Sequence, residues 1–233
     1  MPDILIDAAD SGQFSAYLAE PAHSEHAPGM LVIQEIFGVN GNVRAICDAY
    51  AADGYIAVAP DLFWRQEPGV QLDSTTEEGW TRAFQLFQGF SETKGVEDLI
   101  AALAWLRTHK RTNGKVGAVG YCLGGKLAFL MATRSDVDAA VGYYGVGIEG
   151  SLGEVGAITK PLMLHIAEKD KFSSPEAIGQ VVDGLKPIVH AVVHVYPGVD
   201  HAFARKGGEH YDDAAAILAD TRTEDFFEDY LKV

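Results

Sequence analysis

The chain has 233 residues, 48% of them apolar and 22% charged, an ordinary balance for one globular domain with a well-buried core. With 18 Lys and Arg against 33 Asp and Glu, its formal net charge is −15, which argues against nucleic-acid binding, since that needs a basic face. No apolar run approaches the ~20 residues that span a bilayer, and Met1-Pro2-Asp3-Ile4-Leu5 lacks the basic and apolar regions of a secretory signal. Cys47 and Cys122 permit at most one disulfide, so a reduced, cytoplasmic protein without a membrane partner is expected.

Residues 13–18 alternate and predict an early antiparallel strand, and 21–28, with His23 and His26, reads as a loop. Residues 29–33 form a short apolar strand ending at Gln34-Glu35. Helical spacing follows over 42–53, with Val43, Ile46, Cys47, Tyr50 and Ala51 on one stripe and Gly54 closing it. The strand at 55–61 is stopped by Pro60. Residues 61–95 are the least regular and predict a lid-like excursion containing a helix. An amphipathic helix at 96–107 leads through Asn113-Gly114 to a strand at 115–119. Further strands are expected at 139–144, 161–167 and 191–196, with helices at 175–185 and 212–230. Short apolar strands alternating with helices predict a single α/β domain over 1–233, its mostly parallel central sheet covered by helices on both faces.

Chemistry concentrates at Gly120-Tyr121-Cys122-Leu123-Gly124-Gly125, a cysteine in a glycine-rich turn between an apolar strand and the helix that continues through 126–132. This is the nucleophile-elbow pattern with Cys where Ser is usual. The thiol would project over a helix N-terminus, which favours a thiolate. A buried structural cysteine is the plainer alternative. In an open parallel sheet, reactive groups collect in loops at the carboxyl ends of strands. The loop after 161–167 carries Glu168 and Asp170, and the loop after 191–196 carries Asp200 and His201. Nucleophile, acid, histidine is the chain order of α/β-hydrolases. Asp170 fits the acid best, Glu168 is a weaker rival, and Asp200 is disfavoured because adjacent side chains rarely point together. No His/Asp/Glu spacing matches a recognised zinc pattern, so neither a metal nor another cofactor is expected.

With these residues in place, the chain resembles the dienelactone hydrolase family, a cysteine-nucleophile branch of the α/β-hydrolases. The resemblance runs from the strand before Glu35 to Arg205. It is carried by Gln34-Glu35-Ile36-Phe37-Gly38-Val39-Asn40, Pro60-Asp61-Leu62, the elbow, Val141-Gly142-Tyr143-Tyr144-Gly145-Val146-Gly147 and His201-Ala202-Phe203-Ala204-Arg205. It implies hydrolysis of an enol-lactone or related ester through an acyl-cysteine on a Cys122–Asp170–His201 triad. It also implies that Glu35 helps deprotonate the thiol, that Arg205 partners Glu35 and a substrate carboxylate, and that the N–H groups of Ile36 and Leu123 form the oxyanion hole. Phe37 and Tyr144, inside the matched segments, are counted with the substrate pocket.

The departures lie in the helix after Pro60-Asp61. An ungapped alignment puts Trp80 where the family has a second substrate-binding arginine, Phe84 at its tyrosine and Phe87 at its tryptophan. Arg82 would point roughly 200° away from Trp80 at about 100° per residue. Trp80 and Phe84 therefore read either as a more apolar substrate wall or, with Phe87, as a helix core stripe. Ala202 stands where well-known members carry a hydroxyl. The expected partner is a small ester or lactone, with the chain a monomer or small homo-oligomer. The competing readings are a general short-chain carboxylesterase and a non-hydrolytic thiol-based binding or redox-sensing protein.

Overall fold

Apolar runs of five to seven residues become strands buried from end to end wherever both sheet faces are covered. The computed structural model describes residues 3–23 and 26–232. Its strands are β1 (Asp3–Asp7), β2 (Gln13–Ala19), β3 (Ala27–Ile33), β4 (Ile56–Pro60), β5 (Thr112–Tyr121), β6 (Ala139–Tyr143), β7 (Leu162–Ala167) and β8 (Ala191–Tyr196). The helices are α1 (Gly41–Ala52), α2 (Glu77–Gln88), α3 (Glu92–Thr108), α4 (Leu123–Arg134), α5 (Pro175–Leu185) and α6 (Asp213–Leu231), and a 3-10 helix covers Ile148–Ala157. The eight strands form one mixed, mostly parallel sheet in the order β1-β2-β4-β3-β5-β6-β7-β8. No described helix is long and apolar enough to cross a membrane.

The chain divides into two compact units, Met1–Ala118 and Val119–Val233, the boundary falling inside β5. In the first unit, β1 and β2 pair antiparallel, β2 pairs antiparallel with β4, and β3 runs parallel to β4. Every residue of β3 and β4 is buried. In the second unit, β6, β7 and β8 are mutually parallel; β6 and β7 are buried throughout, while β8 is half-exposed.

Several boundaries depart from the sequence expectation for identifiable reasons. β3 begins at Ala27, inside the expected loop, because the Ala27 N–H bonds the Arg111 carbonyl; residues 24 and 25 of that loop lie outside the described residues. α3 starts four residues before 96 because the Ser91 side chain caps it at Lys94 N–H. β1, largely exposed, exists by pairing with β2 and carries too little pattern to be read alone. The 3-10 helix is similarly hidden, its glycine-rich run having no helical period.

The core-stripe reading fails for Phe84 and Phe87, whereas Trp80 is half-buried against Phe37. α2 packs through Gly79, Ala83 and Leu86, while Phe84 and Phe87 are 40% and 43% exposed. A Cβ at Gly79 would run into the Asp73 carbonyl, so small residues set the packed face and the rings are turned off it. The root of the 61–95 segment is tied down by carboxylates. Asp61 accepts the N–H groups of Phe63 and Gly69, and Asp98 of α3 takes Trp64 Nε1–H at 2.8 Å and Arg65 at 2.7 Å.

Candidate active site

Five of the six α-helices have an Asn, Thr, Ser or Asp at the N-cap whose side chain accepts an N–H of the first turn. In α4 the N-cap is Cys122, with no side-chain cap bond. A thiol is a weak acceptor, so no side chain caps this helix start, and its Gly125 N–H turns instead to Cys122 O at 3.0 Å. The Cys122 backbone has φ 57 and ψ −114, a strained conformation for a residue with a Cβ. The strain is over-determined by the packing around it. A Cβ at Gly120 would collide with the Gly124 carbonyl, and one at Gly125 with the Tyr143 carbonyl, so only glycines let β5, α4 and β6 approach this closely. The Cys122 N–H bonds Tyr143 O at 3.0 Å, fixing the turn against β6. Two more non-glycine residues with positive φ, Tyr144 and Ala202, lie beyond β6 and β8 in the same unit.

His201 and Asp170 meet beyond the ends of β8 and β7, with His201 Nδ1 2.7 Å from Asp170 Oδ2 and both side chains 3% exposed. A buried carboxylate on Nδ1 holds the ring with Nε2 directed away from it. His201 Nε2 is buried and has no hydrogen bond of standard geometry. Burial alone would lower the ring's pKa. The negative charge that Cys122 can carry and the bond to Asp170 reverse this and raise it to about 10. Thiol and imidazole are thus electrostatically coupled. Tyr144 and Phe172 pack edge-on against the ring, at 5.1 and 4.8 Å between centroids. Phe172 was not singled out from the sequence; its place two residues after Asp170 was the available signal.

The rival carboxylates are otherwise engaged. Glu168 Oε2 accepts the Gly198 N–H at 2.9 Å, and Asp200 Oδ1 accepts the N–H groups of Lys171 and His201. Arg205 is buried in the loop beyond His201, its N–H bonded to Ala202 O. Leu123 is the first residue of α4, directly after Cys122.

The remaining predicted residues belong to the first unit. Glu35 and Ile36 are buried just past β3, at 2% and 5% exposure. The side chain of Gln34 holds this loop: its Oε1 accepts Leu62 N–H at 3.1 Å, and its Nε2 donates to Glu35 O at 3.2 Å. Gln34, in the sequence only one letter of a matched segment, is therefore a positioning group. Phe37 meets Trp80 edge-on at 4.9 Å, and Trp80 lies 5.6 Å from Phe84, giving a short aromatic chain. Trp80 Nε1–H is satisfied by Ser74 O at 2.8 Å. Arg82 bonds Glu67 and Gln85. Both cysteines are free, and among the described residues no cluster of three His, Cys, Asp or Glu could hold a metal.

A second histidine is purely internal. His165 of β7 bonds Tyr196 Oη at 2.8 Å through Nδ1 and Thr223 Oγ1 at 2.9 Å through Nε2. Burial, and then the charges of His194 and Arg222, lower its pKa to about 3, so it stays neutral.

The geometry can be set against known proteins. The model of the Dienelactone hydrolase family matches residues 14–231, across both units. A candidate carboxymethylenebutenolidase of Azospirillum brasilense is 50% identical, covering 99% of this chain and 100% of its own length. The carboxymethylenebutenolidase of Pseudomonas putida is 41% identical, over 96% of this chain and 94% of its own. Among solved structures, a candidate dienelactone hydrolase from Klebsiella pneumoniae superposes with a TM-score of 0.87 at 24% identity, covering 98% of both chains. Its low identity speaks to the fold; the sequence relatives and the family match speak to descent. A cysteine elbow on an α/β-hydrolase sheet, matched end to end by carboxymethylenebutenolidases, makes this chain a member of the dienelactone hydrolase family.

Proposed function

We propose that the chain hydrolyses a carboxylic ester or enol-lactone through an acyl-cysteine intermediate, with Cys122 as nucleophile, His201 as base and acid, and Asp170 as the group that orients His201. The observation that carries this reading is the buried 2.7 Å Asp170–His201 bond, its imidazole coupled to a cysteine held at a strained elbow. His201 Nε2 takes the Cys122 thiol proton as Sγ adds to the carbonyl carbon, and the carbonyl electron pair moves onto oxygen. N–H donors at the α4 start stabilise that oxyanion, with Leu123 supplying one of them. Collapse breaks the C–O bond, and the imidazolium of His201 gives its Nε2 proton to the leaving oxygen. A water that loses its proton to His201 then attacks the thioester. Collapse breaks the C–S bond and releases the acid, and His201 returns its proton to Sγ. The roles of Glu35, Arg205 and the Ile36 N–H rest on the family resemblance and are part of the proposal on that ground. So is the action of the whole chain as one α/β-hydrolase domain, which the family match across residues 14–231 supports.

A preference for uncharged short-chain esters is the second reading. It is favoured by Trp80 at the family's arginine position, with Arg82 occupied by Glu67 and Gln85. One experiment serves both. Wild-type and Cys122→Ala chains are assayed on a carboxylated enol-lactone and on an uncharged aryl acetate, and the acyl-enzyme is sought by intact mass. The expected result is an acyl adduct in the wild type and loss of both activities in Cys122→Ala with an unchanged circular dichroism spectrum. Full turnover by Cys122→Ala refutes the mechanism. No acyl adduct, together with ready oxidation of the thiol by peroxide, supports a redox role instead. The ratio of the two substrates' kcat/KM decides between lactone and short-chain ester.

A further inference from the structure

The geometry points to Asp200 as a positioning residue that staples the loop bearing Asp170 to the loop bearing His201, with Glu168 as its reciprocal partner. This inference rests on the Cys122–Asp170–His201 reading and adds to it what holds the acid and the histidine in register.

β7 and β8 pair in parallel as far as Ala167 and Tyr196. Beyond that point the pairing continues in another form. Glu168 N–H bonds Tyr196 O at 3.0 Å, and Lys169 N–H bonds Val199 O at 2.9 Å. At the next rung a side chain replaces the backbone acceptor: Lys171 N–H bonds Asp200 Oδ1 at 3.0 Å. The same oxygen accepts the His201 N–H at 2.6 Å. One carboxylate oxygen therefore holds the residue after Asp170 and the backbone of His201 together. Glu168 makes the opposite stitch, its Oε2 accepting Gly198 N–H at 2.9 Å from the histidine loop.

The arrangement explains why a carboxylate stands at 200. Hydrogen bonds to an ionised acceptor are about twice as strong as neutral ones. Burial works against the charge here, but the two N–H groups, with His210 and Lys171 nearby, outweigh it and lower the Asp200 pKa. Ala202, next along the chain, sits at φ 63, a conformation that persists only where its surroundings enforce it. A misplacement of about 1 Å can slow an oriented reaction by about 100-fold.

The test compares Asp200→Ala, Asp200→Asn and Glu168→Ala in the full chain, using aryl acetate hydrolysis and the low-field proton NMR signal of His201 Nδ1–H. Asp200→Ala is expected to lower kcat about 10- to 100-fold with KM nearly unchanged. It should also weaken or shift the Nδ1–H signal and move the pH profile of kcat. Asp200→Asn keeps an accepting oxygen without the charge, and should recover activity to within about 5-fold of wild type, as expected for a neutral bond replacing a charge-assisted one. Glu168→Ala, whose stitch is further from the histidine, should show the smaller loss. A folded Asp200→Ala with wild-type kcat and an unmoved Nδ1–H signal overturns the inference. If Asp200→Ala does not fold, Glu168→Ala decides through the other stitch: a lowered kcat with a shifted Nδ1–H signal supports the paired staple, and wild-type values for both overturn it. Activity surviving in Cys122→Ala would instead strike the underlying mechanism, leaving the NMR comparison as an independent reading of the staple.

Discussion

Gly142 sits in the middle of β6, and its replacement by alanine tests how tightly the elbow is built. Its backbone is ordinary extended strand, so the substitution introduces no φ penalty; what it lacks is room. A Cβ there would lie 2.6 Å from the Gly125 carbonyl oxygen in the first turn of α4 and 2.9 Å from Leu164 Cδ2. The leucine can rotate away, but the carbonyl is backbone and moves only with the helix. Reaching even a tight 3.4 Å contact requires about 0.8 Å of displacement, taken as the difference from 2.6 Å. That displacement falls on the turn that carries Cys122 and Leu123. Overpacking of this kind costs about 1–3 kcal/mol. At about 2–4 °C per kcal/mol for a chain this size, Tm should fall by about 2–12 °C. With Cys122 as the proposed nucleophile, a shift approaching 1 Å there should lower kcat by about 10- to 100-fold. Thermal unfolding and aryl ester turnover measure the two effects, with Gly150→Ala, where a Cβ meets nothing within 4 Å, as the neutral control. A Gly142→Ala chain with the Tm and kcat of that control would refute the argument that backbone contact, and not side-chain packing, fixes the elbow.

Two further outcomes are expected. The buried histidines give stability opposite slopes on either side of about pH 6.5, the ordinary histidine value. His165, lowered to about 3, contributes stability that is present above 6.5 and lost as pH falls toward 3; His201, raised to about 10, contributes stability present below 6.5 and lost as pH rises toward 10. Unfolding free energy measured against pH should therefore flatten on the acid side in His165→Gln and on the alkaline side in His201→Gln; slopes unchanged in both variants would contradict the assignment. Cys47 is fully buried, and desolvation, then the charge of Asp48, pushes its thiol well above the usual range. Disulfide-exchange titration of the native chain should accordingly modify Cys122 alone, and both cysteines after denaturation. Fast modification of Cys47 in the native chain would show that its burial is not maintained.

The positions of β3, β4, β6 and β7 were legible because each is a short apolar run buried along its whole length. The elbow was legible because Gly120, Cys122, Gly124 and Gly125 lie within six residues of the chain, and Gly120 and Gly125 each answer a local steric demand. β1 and the 3-10 helix were not, since one exists through its partner strand and the other has no apolar period. α2 misled in a more instructive way. Its large rings at 80, 84 and 87 have helical spacing, yet the packed face is Gly79, Ala83 and Leu86, because close approach to the Asp73 carbonyl selects small residues.

By itself, the amino-acid sequence determined which residue types could react and in what order their loops follow one another. It named Cys122, Asp170 and His201 as candidates and left Glu168 and Asp200 as competitors. The folded chain adds what each carboxylate bonds to. Asp170 reaches an imidazole, whereas Glu168 and Asp200 are occupied by backbone N–H groups of the neighbouring loop. Chain order and adjacency rank the three, with Asp170 first, but all are acidic residues within two adjacent loops, and the hydrogen bonds each makes are not written in the one-dimensional chain. What separates them is a rung of parallel pairing between strands some thirty residues apart, which exists only once β7 and β8 lie side by side.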